Sequence, residues 1–319
     1  MSKKQLSYSL WVEKYRPETI SQIILPKNTR QFFLNLVKEK EIPNLLFFSS
    51  SPGCGKTSVA KALANDIGSD YIYINTSSES GIDTLRNRIA KFATSYSMFG
   101  ENKGSKKICI LDEFDGSTSA LQAALRAFME EFQDSCRFIL TCNYITKIIE
   151  PLKSRCQSVD FNMTDNNTST EMKPLIVKRL SGILKNESVQ FQPEVLVKIV
   201  DTFYPDIRKM VNLLQQYSKK MGIIDDNIFN MEKVDNEFYT LLLNKKLTEA
   251  RKYVIEKNYN FDEMYRNLFD NYVPLLDKTK QAQSILIISE YMWRNSIVCD
   301  KEINFTACML ELIGVLQNA

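Results

Sequence analysis

The 319-residue chain sets 41 Lys and Arg against 38 Asp and Glu, with 44% hydrophobic and 25% charged residues. That composition describes a globular protein too long for one core and suited to two or three domains. The net charge of +3 permits a local nucleic-acid patch without arguing for one, and no run of about 18 apolar residues predicts a membrane span.

The start of the chain, Met1-Ser2-Lys3-Lys4-Gln5, lacks the apolar centre of a signal peptide. Seven scattered cysteines form no C-x-x-C pair, so neither a disulfide framework nor a zinc site is favoured, and a reducing, cytoplasmic interior is expected. Histidine is absent, which excludes histidine-based triads and leaves carboxylates as general bases.

In chain order, the first feature is Trp11-Val12-Glu13-Lys14-Tyr15-Arg16-Pro17. It reads equally as a strap that packs Trp11 or as a nucleotide-base pocket walled by Val12, Tyr15 and Pro17. Strand-like runs follow at Leu45–Phe48, Tyr71–Ile74, Ile108–Leu111, Phe138–Thr141 and Ser158–Phe161. Helical patterns at Lys56–Ile67, Ile82–Tyr96 and Ser119–Phe132 lie between them. Short strands apolar on both faces, alternating with helices, predict a parallel five-stranded sheet covered on both sides.

Ser50-Ser51-Pro52-Gly53-Cys54-Gly55-Lys56-Thr57 joins the first strand to a helix and has the layout of a phosphate-binding P-loop. Gly53 and Gly55 free the backbone N–H groups to turn toward phosphate oxygens, and the helix points its positive end at the same anion. Lys56 is expected at the β- and γ-phosphates of ATP and the Thr57 hydroxyl on Mg²⁺. The strict pattern G-x-x-x-x-G-K-[ST] wants glycine where Ser50 stands. Downstream, an apolar strand ends in Asp112-Glu113, which supplies one carboxylate for the Mg²⁺ shell and one to polarise the attacking water. Asn143, at the end of the next strand, either orients that water or faces solvent. Arg155 follows a short helix and stands far from its own P-loop, within reach of a neighbour's.

A polar stretch, 163–170, reads as a linker, and beyond it nothing reads convincingly as strand. Lys173–Leu184, Glu194–Phe203 and Asp206–Lys220 look helical, a second break falls at 222–230, and 232–319 carries helical patterns at Val254–Tyr272 and Ile285–Ile297. The expected domains are therefore 1–163, 164–228 and 232–319.

Several of these motifs together resemble the replication factor C small subunits, clamp-loader ATPases of the AAA+ class. They are Trp-Val-Glu-Lys-Tyr-Arg-Pro at 11–17, Asp-Glu at 112–113, Cys-Asn-Tyr at 142–144, Ile-Ile-Glu-Pro-Leu-Lys-Ser-Arg-Cys at 148–156 and Asp-Ile-Arg-Lys at 206–209. Length and the degenerate P-loop are most similar to the large subunit of T-even-type phage clamp loaders. The resemblance is specific over about 1–215; the C-terminal third matches by length and helical character.

The resemblance implies a AAA+ domain, a helical lid and an all-helical collar. It implies that Val12, Glu13, Lys14, Tyr15, Arg16 and Ile24 frame the adenine and ribose, and that Gly53, Cys54, Gly55, Lys56, Thr57 and Ser58 hold the phosphates. Asn143 is similar to sensor 1, Arg208 to sensor 2, Arg155 to an arginine finger acting on the adjacent subunit, and Asn75 to a polar switch on the catalytic glutamate. It further implies a ring, of four like subunits and one different, with a sliding clamp and primer–template DNA as partners. Ser80 departs from the basic residue the family sets before Gly81-Ile82-Asp83. Arg86, Arg88 and Lys91 remain as DNA-phosphate candidates beside the plain reading of a solvated helix face. Gln122 and Arg126 fit either a relay between subunits or packing and solubility. Alternatives are another AAA+ DNA remodeller, such as a branch-migration motor, and a ring member that binds nucleotide without hydrolysis.

Overall fold

The computed structural model describes residues 10–78, 81–95, 106–230, 236–257 and 259–317. The signal-peptide reading at the first five residues, the end of the helix expected to reach Tyr96, and the Ser80 departure lie outside the described residues. The chain divides into two compact units, 1–225 and 226–319.

The first unit begins with a single helical turn, α1 (Trp11–Lys14), and helix α2 (Lys27–Glu39). Then come β1 (Leu45–Phe48), α3 (Lys56–Ile67), β2 (Tyr71–Asn75), α4 (Ile82–Thr94), β3 (Lys107–Asp112), α5 (Ser119–Glu131), β4 (Cys136–Cys142), α6 (Glu150–Lys153) and β5 (Gln157–Asp160). The strands form one sheet in the order β2-β3-β4-β1-β5, every pair parallel. Leu45, Leu46, Phe47, Ile110 and Leu111 are fully buried because helices cover both faces, which is why those runs are continuously apolar. At the sheet's edge, β5 is mostly exposed and correspondingly polar, and its apolar residue, Phe161, is buried just past the strand.

The strand order decides where a ligand can go. From β1 the chain crosses over to β2 at the far edge and returns through β3 and β4 to lie beside β1. The carboxyl ends of β1, β3 and β4 are thereby neighbours, Phe48 opposite Cys142 and Leu111 opposite Leu140. Such a switch point opens a crevice at the strand ends.

Residues 163–170, expected as a linker, are largely helix. α7 (Asn166–Asn186) begins where the Asp165 carboxylate accepts the Thr168 N–H at 2.9 Å. Its apolar stripe, Met172, Ile176, Leu180 and Ile183, starts later, so periodicity gave no signal for the capped first turns. α8 (Pro193–Phe203) and α9 (Ile207–Met221) follow, and Gly222 ends α9 at φ 76°. A parallel pair, β6 (Gln190–Phe191) with β7 (Ile223–Ile224), corrects the expectation of no strand here; two residues are too few to show alternation.

The second unit is built from α10 (Asn236–Leu243), α11 (Leu247–Glu256), α12 (Phe261–Asn267), α13 (Lys278–Arg294) and α14 (Lys301–Gln317). The single pattern read over Val254–Tyr272 is divided. Asn260 caps α12 by accepting the Asp262 N–H, and Leu268–Tyr272 forms a wider π-helical turn. The unit's core is aromatic, with Phe238 and Tyr253 stacked and Tyr265 edge-on to Phe305.

Candidate functional site

The loop from β1 to α3 is the base of the crevice. Gly53 and Gly55 take φ values of +70° and +96°, which side chains other than glycine rarely adopt. At Gly53 a Cβ would also collide with the Asp206 carboxylate, the N-cap of α9, so this glycine admits the third-layer helix against the loop. Ser50 stays outside the left-handed region, and its N–H and hydroxyl both donate to Asn162 Oδ1 at 3.0 Å. Glycine is therefore not required there, which resolves the departure from the strict loop pattern.

Lys56 is 8% exposed. Its ammonium donates to Asn143 Oδ1 (2.9 Å), to the Ser49 and Ser51 carbonyls (3.3 Å each) and to Cys54 Sγ (3.7 Å). Among the described residues no carboxylate pairs with it. A buried cation held only by neutral acceptors stands beside the positive end of α3, an environment suited to an anion.

Asp112, at the end of β3, is 7% exposed and is gripped by three hydroxyls. Thr57 (2.7 Å) and Thr141 (2.5 Å) donate to Oδ1, and Tyr73 (2.8 Å) donates to Oδ2. Because the Thr57 proton is committed to Asp112, its oxygen lone pairs are left for a cation. An all-oxygen pair of hydroxyl and carboxylate suits a hard ion such as Mg²⁺, which keeps water or phosphate in its other positions. Thr141 also accepts the Glu113 N–H at 3.1 Å, and Glu113 itself turns into the left-handed region at φ 56°. This twist swings its side chain away from that of Asp112. Asn75 Nδ2 meets Glu113 Oε2 at 3.3 Å.

Two adjoining cavities share Gly53, Cys54, Gly55, Ser58 and Arg208 in their walls. The polar one, about 100 Å³, includes Lys56, Thr57, Asp112, Glu113 and Asn143. The apolar one, about 120 Å³, includes Trp11, Val12, Tyr15, Arg16, Ile24 and Ile207. Trp11 is both strap and wall: it is buried, and its N–H donates to Gln215 Oε1 of α9 at 2.9 Å. Glu13 and Lys14, expected in the adenine–ribose frame, do not line the cavity. α1 is one turn long and directs them outward, to Arg16 (2.7 Å) and Glu187 (2.6 Å).

Arg155 lines neither cavity. Its guanidinium forks onto Glu130 of α5 at 2.6 and 3.1 Å and donates to the Pro151 carbonyl at 2.9 Å, which holds the Glu130 carboxyl below its usual range. Arg86 and Lys91 are exposed on α4 and Arg88 is half-buried, while Leu85, Ile89 and Ala93 form the helix's buried face. The Arg86 guanidinium also lies 5.8 Å from the Phe128 ring. Gln122 is buried, donating to the Lys147 carbonyl (3.0 Å) and accepting the Ile149 N–H (2.9 Å), so it joins α5 to the segment leading to Arg155. Arg126 lies 3.8 Å from Glu130.

Sequence reasoning missed Tyr73, Thr141, Asn162 and Gln215. Only Thr141 carried a usable signal, as a hydroxyl two residues before Asn143 at a strand end.

The model of the ATPase family associated with various cellular activities matches residues 46–162, and that of the sliding-clamp-loader large subunit, AAA+ ATPase lid domain, matches 167–230. The chain is 35% identical over 272 residues to the sliding-clamp-loader large subunit of Escherichia phage RB69, covering 82% of this chain and 83% of that one. It is 31% identical over 319 residues to the corresponding protein of Enterobacteria phage T4, covering 96% of each. With the replication factor C small subunit of Sulfolobus acidocaldarius the identity is 33% over 324 residues, covering 95% of each. Among solved structures, a Thermotoga maritima RuvB variant superposes with a TM-score of 0.54 at 15% identity, covering 77% of this chain and 86% of that one, a likeness of fold alone.

Proposed function

The chain belongs to the clamp-loader ATPases of the AAA+ family, and from that premise we propose how its residues divide the work of hydrolysing ATP to load a sliding clamp on primer–template DNA. Residues 1–163 bind the nucleotide, 164–228 form the lid, and 232–319 form the collar of a ring built from four copies and one different subunit. The base enters the apolar cavity beside Val12, Tyr15 and Ile24, and the phosphates lie over the backbone of Gly53 to Ser58. Lys56 and Arg208 neutralise the phosphate oxygens. The observation that carries this reading is the buried Lys56 ammonium with no carboxylate partner among the described residues.

Thr57 and Asp112 would hold Mg²⁺, whose charge offsets that of the β- and γ-phosphates. Glu113 accepts the proton of the attacking water as its oxygen bonds to the γ-phosphorus and ADP leaves. Asn143, already bonded to Lys56, orients that water. The contact from Asn75 occupies Glu113 until it is released. Arg155 leaves Glu130 to meet the γ-phosphate of the adjacent subunit, and Arg86, Arg88 and Lys91 contact DNA phosphates. A cytoplasmic setting fits the free cysteines, and no helix of the described residues is long and apolar enough to cross a membrane.

A branch-migration motor is not favoured, since the RuvB likeness is one of fold alone while the lid matches a clamp-loader model. A subunit that only binds nucleotide is equally unsuited to a chain with Glu113, Lys56 and Arg155 in place. The direct test is Lys56→Ala, which removes the ammonium from a loop and leaves the core packing alone. Turnover with clamp and primed DNA is expected to vanish while circular dichroism is unchanged; hydrolysis near the wild-type rate would overturn the reading.

A further inference from the structure

Tyr73 stands out as a polar handle that the sequence gave no reason to notice. On the β-sheet it lies opposite Ile110, and Ile110 and Asp112 face the same side because side chains alternate along a strand. The tyrosine ring is long enough to reach along that face, and its hydroxyl ends 2.8 Å from Asp112 Oδ2. The two threonine hydroxyls that also reach this carboxylate both serve the other oxygen, Oδ1. Among the described residues Tyr73 is thus the one side chain that bonds Oδ2. The ring is fixed from above by the Lys61 ammonium of α3, 4.0 Å from its centroid. Burial, and then the bond to Asp112, push the Tyr73 hydroxyl up to about 12, so it is a committed donor at neutral pH.

We propose that Tyr73 is a positioning residue for Mg²⁺. Its hydroxyl anchors Oδ2 and fixes the plane of the Asp112 carboxylate, so that Oδ1 and the Thr57 oxygen are presented together to the ion. A hydrogen bond to an ionised carboxylate is stronger than one between neutral groups. Partners that orient a metal-binding carboxylate typically change metal affinity by about 10- to 100-fold when removed. The ring alone does not do this. Its packing under Lys61 survives loss of the oxygen, and the carboxylate then turns about its own Cβ–Cγ bond. The inference rests on the reading of Thr57 and Asp112 as the Mg²⁺ side of a nucleotide site.

The experiment is binding of a fluorescent ATP analogue by wild-type and Tyr73→Phe protein, titrated with Mg²⁺ and repeated in EDTA. Tyr73→Phe should raise the Mg²⁺ midpoint by about tenfold and leave the EDTA affinity unchanged, because the pocket walls are intact. A wild-type midpoint in the variant, or an equal loss of affinity with and without Mg²⁺, would overturn the role of Tyr73. A wild-type chain whose nucleotide binding ignores Mg²⁺ would overturn the underlying reading of the site and this inference with it.

Discussion

The two units bury polar groups in different ways. In the first, Lys56, Thr76, Asp112 and Thr141 are buried near the ends of adjacent strands, and Lys56, Asp112 and Thr141 line an open cavity. In the second, buried polarity closes on itself. Asn304 of α14 donates to the Tyr265 hydroxyl (2.8 Å) and the Tyr291 carbonyl (3.0 Å), Asn295 donates to Asp262, and Lys301 pairs with Asp262 at 2.8 Å. Lys301 holds the Asp262 carboxyl below its usual range. A network whose donors and acceptors satisfy one another specifies packing. One that leaves a buried ammonium facing a cavity is prepared for a ligand. Buried polarity is therefore a functional signal only when something remains for a ligand to complete.

The largest expected effect sharpens this contrast by asking what completes the first unit's site. Arg155 is permanently charged and able to fork onto phosphate oxygens, and here it is parked on Glu130. Arginine fingers supplied by a neighbour are worth on the order of 10³–10⁵ in rate in other phosphoryl-transfer systems. Arg155→Ala should remove hydrolysis from the assembled ring on that scale and leave each chain's own nucleotide affinity nearly intact. Rings mixed from Arg155→Ala and Glu113→Gln chains should recover activity, because each variant lends what the other lacks. Mixed rings that assemble and remain inactive would place the missing arginine elsewhere.

A middle-sized effect attacks the contrast from the other side. Asn304→Leu keeps the volume and leaves the Tyr291 carbonyl and Tyr265 hydroxyl short of a donor. A loss of about 1–3 kcal/mol is expected, read as a lower urea midpoint, while nucleotide affinity under native conditions stays at the wild-type value. If affinity fell in step with stability, the second unit's polar network would have to be counted with the site.

The smallest effect concerns a surface where neither kind of buried polarity applies. Replacing Arg86 or Lys91 singly should weaken DNA binding about equally for all sequences and lower the salt slope by roughly one unit. An unchanged slope in both variants would return that face of α4 to solvent.

What the sequence by itself determined was whatever is written in adjacent positions. The glycine-bearing loop followed by Lys56-Thr57, the Asp112-Glu113 pair after an apolar strand and the alternation of strands with helices are all local patterns. They state their chemistry because a phosphate loop and a strand-end carboxylate need fixed residue types at fixed spacing. Tertiary structure alone decided which side chains those residues meet. Tyr73 reaches Asp112 and Thr141 bridges Asp112 to Glu113 only because β2, β3 and β4 are neighbours in the sheet. In the sequence, a tyrosine or threonine within a strand reads as ordinary β-propensity. Asn162 makes Ser50 acceptable, Gln215 anchors Trp11 and Glu187 draws Lys14 away from the pocket across separations of 112 to 204 residues. No local pattern encodes such pairings. They follow from chain topology, which brings groups distant in sequence to one crevice and leaves the burial of each to choose its partner.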